Sequence, residues 1–230
     1  MIFQKKVNYD YKSCFVLLLL LIILNSCNVN NNIATIKIAK CDTPLNLDTP
    51  FFKRENYLNR FGKYSAAYTF IKNDVKRAGL KALENGYDSI AIRLWYHYAG
   101  PITEMVEIRK HCEGWVAQFV TIKRHIEKED TIVSIINDRV IKAPSSGWDI
   151  FTKKLFSLNI TTLPDFGEIP NYDAANDGNA VDVEISTNKY YRLYSYLGPI
   201  TKPEIKEAKD LEDIMELIED EFGVKRKKKI

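Results

Sequence analysis

The sequence predicts an α+β fold: an antiparallel β-meander plus a second hairpin, packed with two or three helices that include an amphipathic C-terminal helix. Three observations predict it. Ser89 to Tyr98 alternates, with Ile90, Ile92, Leu94, Tyr96 and Tyr98 on one face, the period-2 pattern of a half-buried strand. A separate alternating pair, Val181 to Ile185 and Tyr190 to Tyr196, flanks the turn residues Asn188-Lys189. Near the C-terminus, Ile205, Ala208, Leu211, Met215, Ile218 and Phe222 recur at helical spacing.

The elements follow in order. Ile33 to Ala39 reads as a first strand, followed by an irregular stretch to Arg54. Tyr68 to Leu83 reads as a helix, with Ile71, Val75, Leu80 and Leu83 near helical spacing and Asn85-Gly86 as its stop. After the strand at Ser89, Ala99-Gly100-Pro101 turns the chain into Thr103 to His111. Cys112-Glu113-Gly114 reads as a three-residue hairpin loop with Gly at the left-handed position, and Trp115 to His125 returns. In that register Leu94 faces Val106, Ile92 faces Ile108 and Val106 faces Val120. The other face pairs Arg93 with Glu107, Trp95 with Met105 and His111 with Trp115. Thr131 to Ile141 is a fourth strand.

A helix from Trp148 to Leu158 carries the stripe Phe151, Leu155 and Leu158, with a serine of Ser145-Ser146-Gly147 as its cap. An ordered loop with Pro164 and Pro170 leads to the second hairpin, where a two-residue turn pairs Val183 with Tyr194 and Val181 with Tyr196. Pro203 falls in the first turn of the last helix and Gly223 ends it. Glu219, Asp220 and Glu221 sit where the helix dipole disfavours them, and the basic tail just beyond offsets that.

The start of the chain gives an address. Lys5, Lys6 and Lys12 against Asp10 make a basic leader, followed by ten unbroken apolar residues from Phe15 to Leu24. At about 1.5 Å per helical residue this run covers about half of a bilayer core near 30 Å, too little to span it. The next residues, Leu24-Asn25-Ser26-Cys27, resemble the lipobox of bacterial lipoproteins, in which the thiol takes a diacylglycerol before cleavage. Asn25 departs from the small residue usual at that position. Residues 1–26 then read as a lipoprotein signal peptide, 27–32 as a polar tether, 33–223 as a single α+β domain and 224–230 as a basic tail. The expected partner is the membrane, through lipid on Cys27, with the periplasmic side of the cell envelope favoured over the surface.

Removing Lys5, Lys6, Lys12 and Asp10 from 33 basic and 30 acidic residues leaves a net charge of +1. Five of the positives are Lys225, Arg226, Lys227, Lys228 and Lys229, so the body itself is acidic and no nucleic-acid surface is expected. Those tail residues also suit anionic lipid beside the anchor, or serve as a solubilising end. Of four cysteines, Cys14 leaves with the leader and Cys27 carries lipid. Cys41 and Cys112 remain, as a disulfide pair or as two free thiols.

Several sites invite chemistry. His97, His111 and His125 are the only histidines, but the register puts His97 and His125 at one end of the meander and His111 at the other, too far apart for one metal ion. Asp173, Asp177, Gly178 and Glu184 match four positions of a calcium loop, yet Ala175 stands where an oxygen ligand is needed and an Asp-Gly turn accounts for the same residues. No nucleophile elbow, Walker loop or dinucleotide fingerprint is present, and no cofactor or metal is expected. His111 and Cys112 are sequence neighbours that a strand would point to opposite faces, and an exposed turn thiol is the ordinary reading of Cys112. Asp182 and Glu184 share a face, as a carboxylate pair or simply as a solvated strand face. Arg93, Trp95, Glu107, Arg109 and Phe119 make a possible binding face on the meander, where aromatics mixed with Arg suit a protein partner or a glycan. The same residues also serve if a helix covers the apolar part and Arg93–Glu107 is an ion pair.

Ile92-Arg93-Leu94-Trp95-Tyr96, Ser146-Gly147-Trp148-Asp149, Val183-Glu184-Ile185 and Tyr191-Arg192-Leu193-Tyr194-Ser195-Tyr196 together resemble a group of small lipoproteins from Bacteroidota without an assigned activity. That resemblance brings no catalytic residues. The expectation is a monomeric, envelope-tethered protein that acts by binding another envelope protein, a glycan or a secreted toxin. The alternatives are an envelope hydrolase with a site assembled from distant segments, for which a pocket gathering Asp177, Glu184 and a His would speak, and a purely structural lipoprotein.

Overall fold

The computed structural model describes residues 66–127, 130–173 and 179–225. The strand expected over Ile33–Ala39, the tether, Cys27, Cys41, Asp177, Gly178 and the tail beyond Lys225 lie outside the described residues.

The fold is α+β. A helix, α1 (Ala66–Arg77), precedes four strands, β1 (Ile90–His97), β2 (Ile102–His111), β3 (Gly114–Glu127) and β4 (Asp130–Ile141). Then come α2 (Trp148–Ser157), the hairpin β5 (Ala180–Thr187) and β6 (Tyr191–Leu197), and α3 (Lys206–Phe222). The strands form one antiparallel sheet in the order β4-β3-β2-β1-β5-β6, so the second hairpin joins the meander through β1. No helix among the described residues is long and apolar enough to cross a membrane.

The strands β1, β2, β5 and β6 are buried on both faces, each face for its own reason, while much of β4 is exposed. Leu94, Val106, Val183 and Tyr196 form the first face with Phe151 and Leu155 of α2 and Leu211, Ile214, Met215 and Ile218 of α3. Trp148 ties these layers together, stacking on Trp115 of β3 and meeting Phe151 and Phe222 edge-on or tilted. On the second face, Ile71 and Val75 of α1, with Leu83 from the loop behind it, cover Ala91, Trp95, Met105 and Val120.

The first hairpin pairs as expected, Leu94 with Val106 and Arg93 with Glu107, as does the second, Val183 with Tyr194. The β2–β3 hairpin does not. Gly114 has the expected positive φ of 129°, but it already pairs with His111, so the connection is Cys112-Glu113 alone. The return strand is therefore offset by one residue: Val106 faces Phe119 rather than Val120, and Lys110 rather than His111 faces Trp115. With side chains alternating, that single step moves Phe119 to the first face and Val120 to the second.

Helix boundaries also differ: α3 begins at Lys206 behind the N-cap Ile205, so Pro203 precedes the helix rather than lying in its first turn. α1 stops at Arg77, because Gly79 adopts φ +67° and the Leu80 amide bonds back to the Val75 carbonyl at 2.9 Å, a left-handed helix end. Leu80 and Leu83 thus belong to a loop with a short 3-10 turn at Leu83–Asn85. The helix α2 has Gly147 rather than a serine at its N-cap.

The two serines serve α3 instead. Ser145 Oγ and the Ser146 amide each donate to Glu221 Oε2 at 2.8 Å, with Lys154 Nζ 3.5 Å from Oε1. Burial pushes the Glu221 carboxyl up, but these donors outweigh it and hold the group at about 2. A depressed native value means the stabilisation is complete above the unfolded value near 4.5 and is lost as pH falls from there through about 2. Glu221→Gln is therefore expected to cost about 1–2 kcal/mol at neutral pH and almost nothing at pH 2, measured by urea unfolding at both.

Candidate functional site

The second sheet face carries a polar layer centred on β1. Arg93 lies directly between Glu107 on β2 and Glu184 on β5, in register with both. Its Nε donates to Glu107 Oε2 at 2.6 Å, and Arg109 Nη1 donates to the other oxygen of the same carboxylate. Arg109 continues outward, donating to Gln118 Oε1 at 2.8 Å and to His111 Nε2 at 3.0 Å. Tyr87 stands beside His111 with its hydroxyl 3.1 Å from Nε2. Burial and the Arg109 charge push the His111 imidazole below its ordinary value.

Glu184 is held differently. Trp95 Nε1 donates to its Oε2 at 2.7 Å and the Tyr191 hydroxyl to its Oε1 at 2.8 Å. Arg93 Nη1 is 3.8 Å from Oε2, a charge contact without a hydrogen bond. The two carboxylates flanking Arg93 consequently part ways. Burial raises both, but two guanidinium donors bring Glu107 below the usual range, whereas burial prevails at Glu184 and leaves it raised. Burial, and then the Glu184 charge, also push the Tyr191 phenol well up.

This layer is closed on top. Arg93 and Trp95 are at most 1% exposed, and Glu107 5%. The proposed partner face of Arg93, Trp95, Glu107, Arg109 and Phe119 is therefore not a surface. Phe119 points to the opposite core, where Arg139 covers its ring, and only Arg109 reaches partly to solvent. The physical reason is α1, whose Ile71 and Val75 cap the aromatic part of the face. Asp74 of α1 also pairs with Arg124 of β3, whose guanidinium stacks on Phe70.

Asp182 and Glu184 are likewise buried rather than solvated. Asp182 lies 2.8 Å from His97 Nε2, while His97 packs edge-on against Phe70. His111 sits at the far end of β2 and His125 is exposed on β3, so the histidines stay apart. Among the described residues no cluster of His, Cys, Asp and Glu is arranged to hold a metal ion. Cys112 is exposed in its turn but is disulfide-bonded, not a free thiol; Cys41, with which a pair was one of two alternatives, lies outside the described residues.

One edge of the buried layer opens. A cleft of about 320 Å³ lies between α1, the loop after it and the β5–β6 hairpin. Glu184 and Tyr191 line it alongside the apolar side chains of Ile71, Val75, Leu80, Ala82 and Leu83. Glu184 and Tyr191 are nearly inaccessible and form its inner end, whereas Lys72, Lys76, Tyr68 and Glu84 stand toward solvent. Lys72 Nζ is 3.2 Å from Glu84 Oε1, and Tyr68 donates to the other oxygen of that carboxylate. The loop wall is pinned to the sheet, since Ser186 Oγ donates to the Leu83 carbonyl at 2.7 Å. Sequence reading singled out Glu184 and missed this cleft. Gly79, which ends α1 early and frees Leu80 to Leu83 to fold back as a wall, was the available signal.

No protein-family model matches the chain, and no curated protein matches it.

Proposed function

We propose that this is a lipid-anchored protein of the cell envelope that acts by binding a small ligand in the cleft beside Glu184 and Tyr191. The address rests on Leu24-Asn25-Ser26-Cys27 behind a short apolar run and a basic leader. The binding role rests on one observation: the cleft has apolar walls and two convergent polar groups at its inner end, the composition of a small-molecule site. The buried Arg93 layer supports it as a rigid back wall, because β1, β2 and β5, which carry Arg93, Glu107 and Glu184, are each paired on both sides. A broad aromatic–Arg surface for a protein or glycan is replaced in this reading by a cleft with a buried inner end.

Mass spectrometry of the N-terminus recovered from the native membrane tests the address. Diacylglycerol linked through sulfur at Cys27 is expected; an unmodified thiol or an intact leader overturns it. Native mass spectrometry of the same material tests the role. A small molecule retained by the protein and lost in Ala82→Trp, which fills the cleft, is expected.

The raised Glu184 carboxyl favours one second reading, that it protonates a substrate held in the cleft. Turnover of a cleft ligand that Glu184→Gln abolishes, with binding retained, would establish that reading in place of simple binding.

A further inference from the structure

The chemistry at the inner end of the cleft narrows the ligand. Glu184 receives one hydrogen bond on each carboxylate oxygen, from Trp95 and from Tyr191, which leaves accepting capacity on both. A molecule that fills the cleft displaces water from this carboxylate, and an apolar tip would leave that capacity unmet in a low-dielectric site. The tip must therefore donate a hydrogen bond. It must also tolerate positive charge. Arg93 Nη1 lies 3.8 Å from Glu184 Oε2 and has no hydrogen-bond partner among the described residues. Lys76 adds a second cation at the mouth, where Glu84 balances Lys72. An ammonium is drawn to Glu184 but opposed by both cations. A hydroxyl donates to the carboxylate, carries no charge, and keeps lone pairs for a neighbouring donor.

On this basis, and resting on the binding role proposed above, we infer that the cleft takes a compact apolar alcohol or phenol with its hydroxyl against Glu184. The apolar body packs on Ile71, Val75 and Leu83. The volume of about 320 Å³ sits at the small end of ligand pockets, which run from about 300 to 1,000 Å³, so one ring or a short branched chain fills it.

Three probes of similar size separate the requirements: 4-methylphenol, which donates; 4-methylanisole, which only accepts; and 4-methylbenzylamine, which is cationic. Each is titrated into the purified full chain while the Trp95 indole N–H resonance is followed, since that group donates to Glu184. The phenol is expected to bind about ten-fold or more tightly than either of the others, the ordinary value of one hydrogen bond to a charged acceptor. Glu184→Gln is expected to shrink that preference, and Ala82→Trp to abolish the response. Leu80→Trp at the cleft wall serves as the second blocking variant, and unshifted Trp115 and Trp148 resonances, on the other sheet face, report an intact fold. Equal binding of the anisole, or tightest binding of the amine, overturns the alcohol assignment and leaves the binding role standing. No response to any probe, in a protein that also retains no native ligand, overturns the binding role itself.

Discussion

Arg93→Met is expected to destabilise the protein by about 3–5 kcal/mol, measured by urea unfolding. Arg93 is 1% exposed and stands between two carboxylates that are equally withdrawn from water. Removing it deletes one cation and strands two anions, and the stranding is the larger part of the cost. Glu107 keeps Arg109, but Glu184 keeps only the neutral donors of Trp95 and Tyr191. The same logic predicts rescue. Adding Glu107→Leu and Glu184→Gln to Arg93→Met removes the stranded charges and is expected to return most of the lost stability, since buried ion pairs replaced by packed neutral groups are often neutral or better. A triple variant less stable than the single one would show instead that the charges themselves stabilise the fold.

The second large effect lies on the opposite face. Phe151→Ala is expected to cost about 3–5 kcal/mol, with the urea dependence of unfolding unchanged. Phe151 is fully buried, and its ring meets Trp148 at 5.9 Å and Phe222 at 4.9 Å between centroids. It therefore joins α2, α3 and the sheet at one point, and the surrounding rings are too rigid to collapse into the space it leaves. A cost near 1 kcal/mol would mean that Trp148 moves in to fill the void.

Much of this was legible from the residues. Alternation and turn chemistry located both hairpins and set the pairing of β1 with β2 and of β5 with β6, because a buried face tolerates one register only. The apolar stripe of α3 needed no more than its spacing. What failed has specific causes. A glycine with positive φ fits either a loop residue or the first residue of the returning strand, and Gly114 took the second role. The Arg93–Trp95 face resembled a surface because charges alternating with aromatics are the usual mark of one. The alternative that a helix covers the apolar part, with Arg93–Glu107 as an ion pair, is the one that holds, and α1 is that helix. The cleft was illegible because α1 and the loop folded back behind it meet a distant hairpin, β5–β6, with Ser186 bonding Leu83 across 103 residues of chain.

The residues of the runs Ser146–Asp149 and Tyr191–Tyr196 have local work. Arg192 Nη1 donates to the Thr161 carbonyl at 2.7 Å and the Tyr194 hydroxyl to the Ile160 carbonyl at 2.7 Å, while Asp165 accepts from the Ser195 amide at 2.9 Å. Together they clothe the outer edge of β6 with the loop that precedes β5. Ser145 and Ser146 hold Glu221, and Trp148 holds the aromatic core. The Tyr, Arg and Ser side chains of this run thus secure a sheet border.

The rung formed by Glu107, Arg93 and Glu184 has a consequence for how the chain finds its fold. A slide of one position would carry the guanidinium to the layer occupied by Leu94 and Val106, with neither carboxylate beside it. The rung thus works as an index pin: only the alignment that seats Arg93 between Glu107 and Glu184 leaves none of the three buried charges alone.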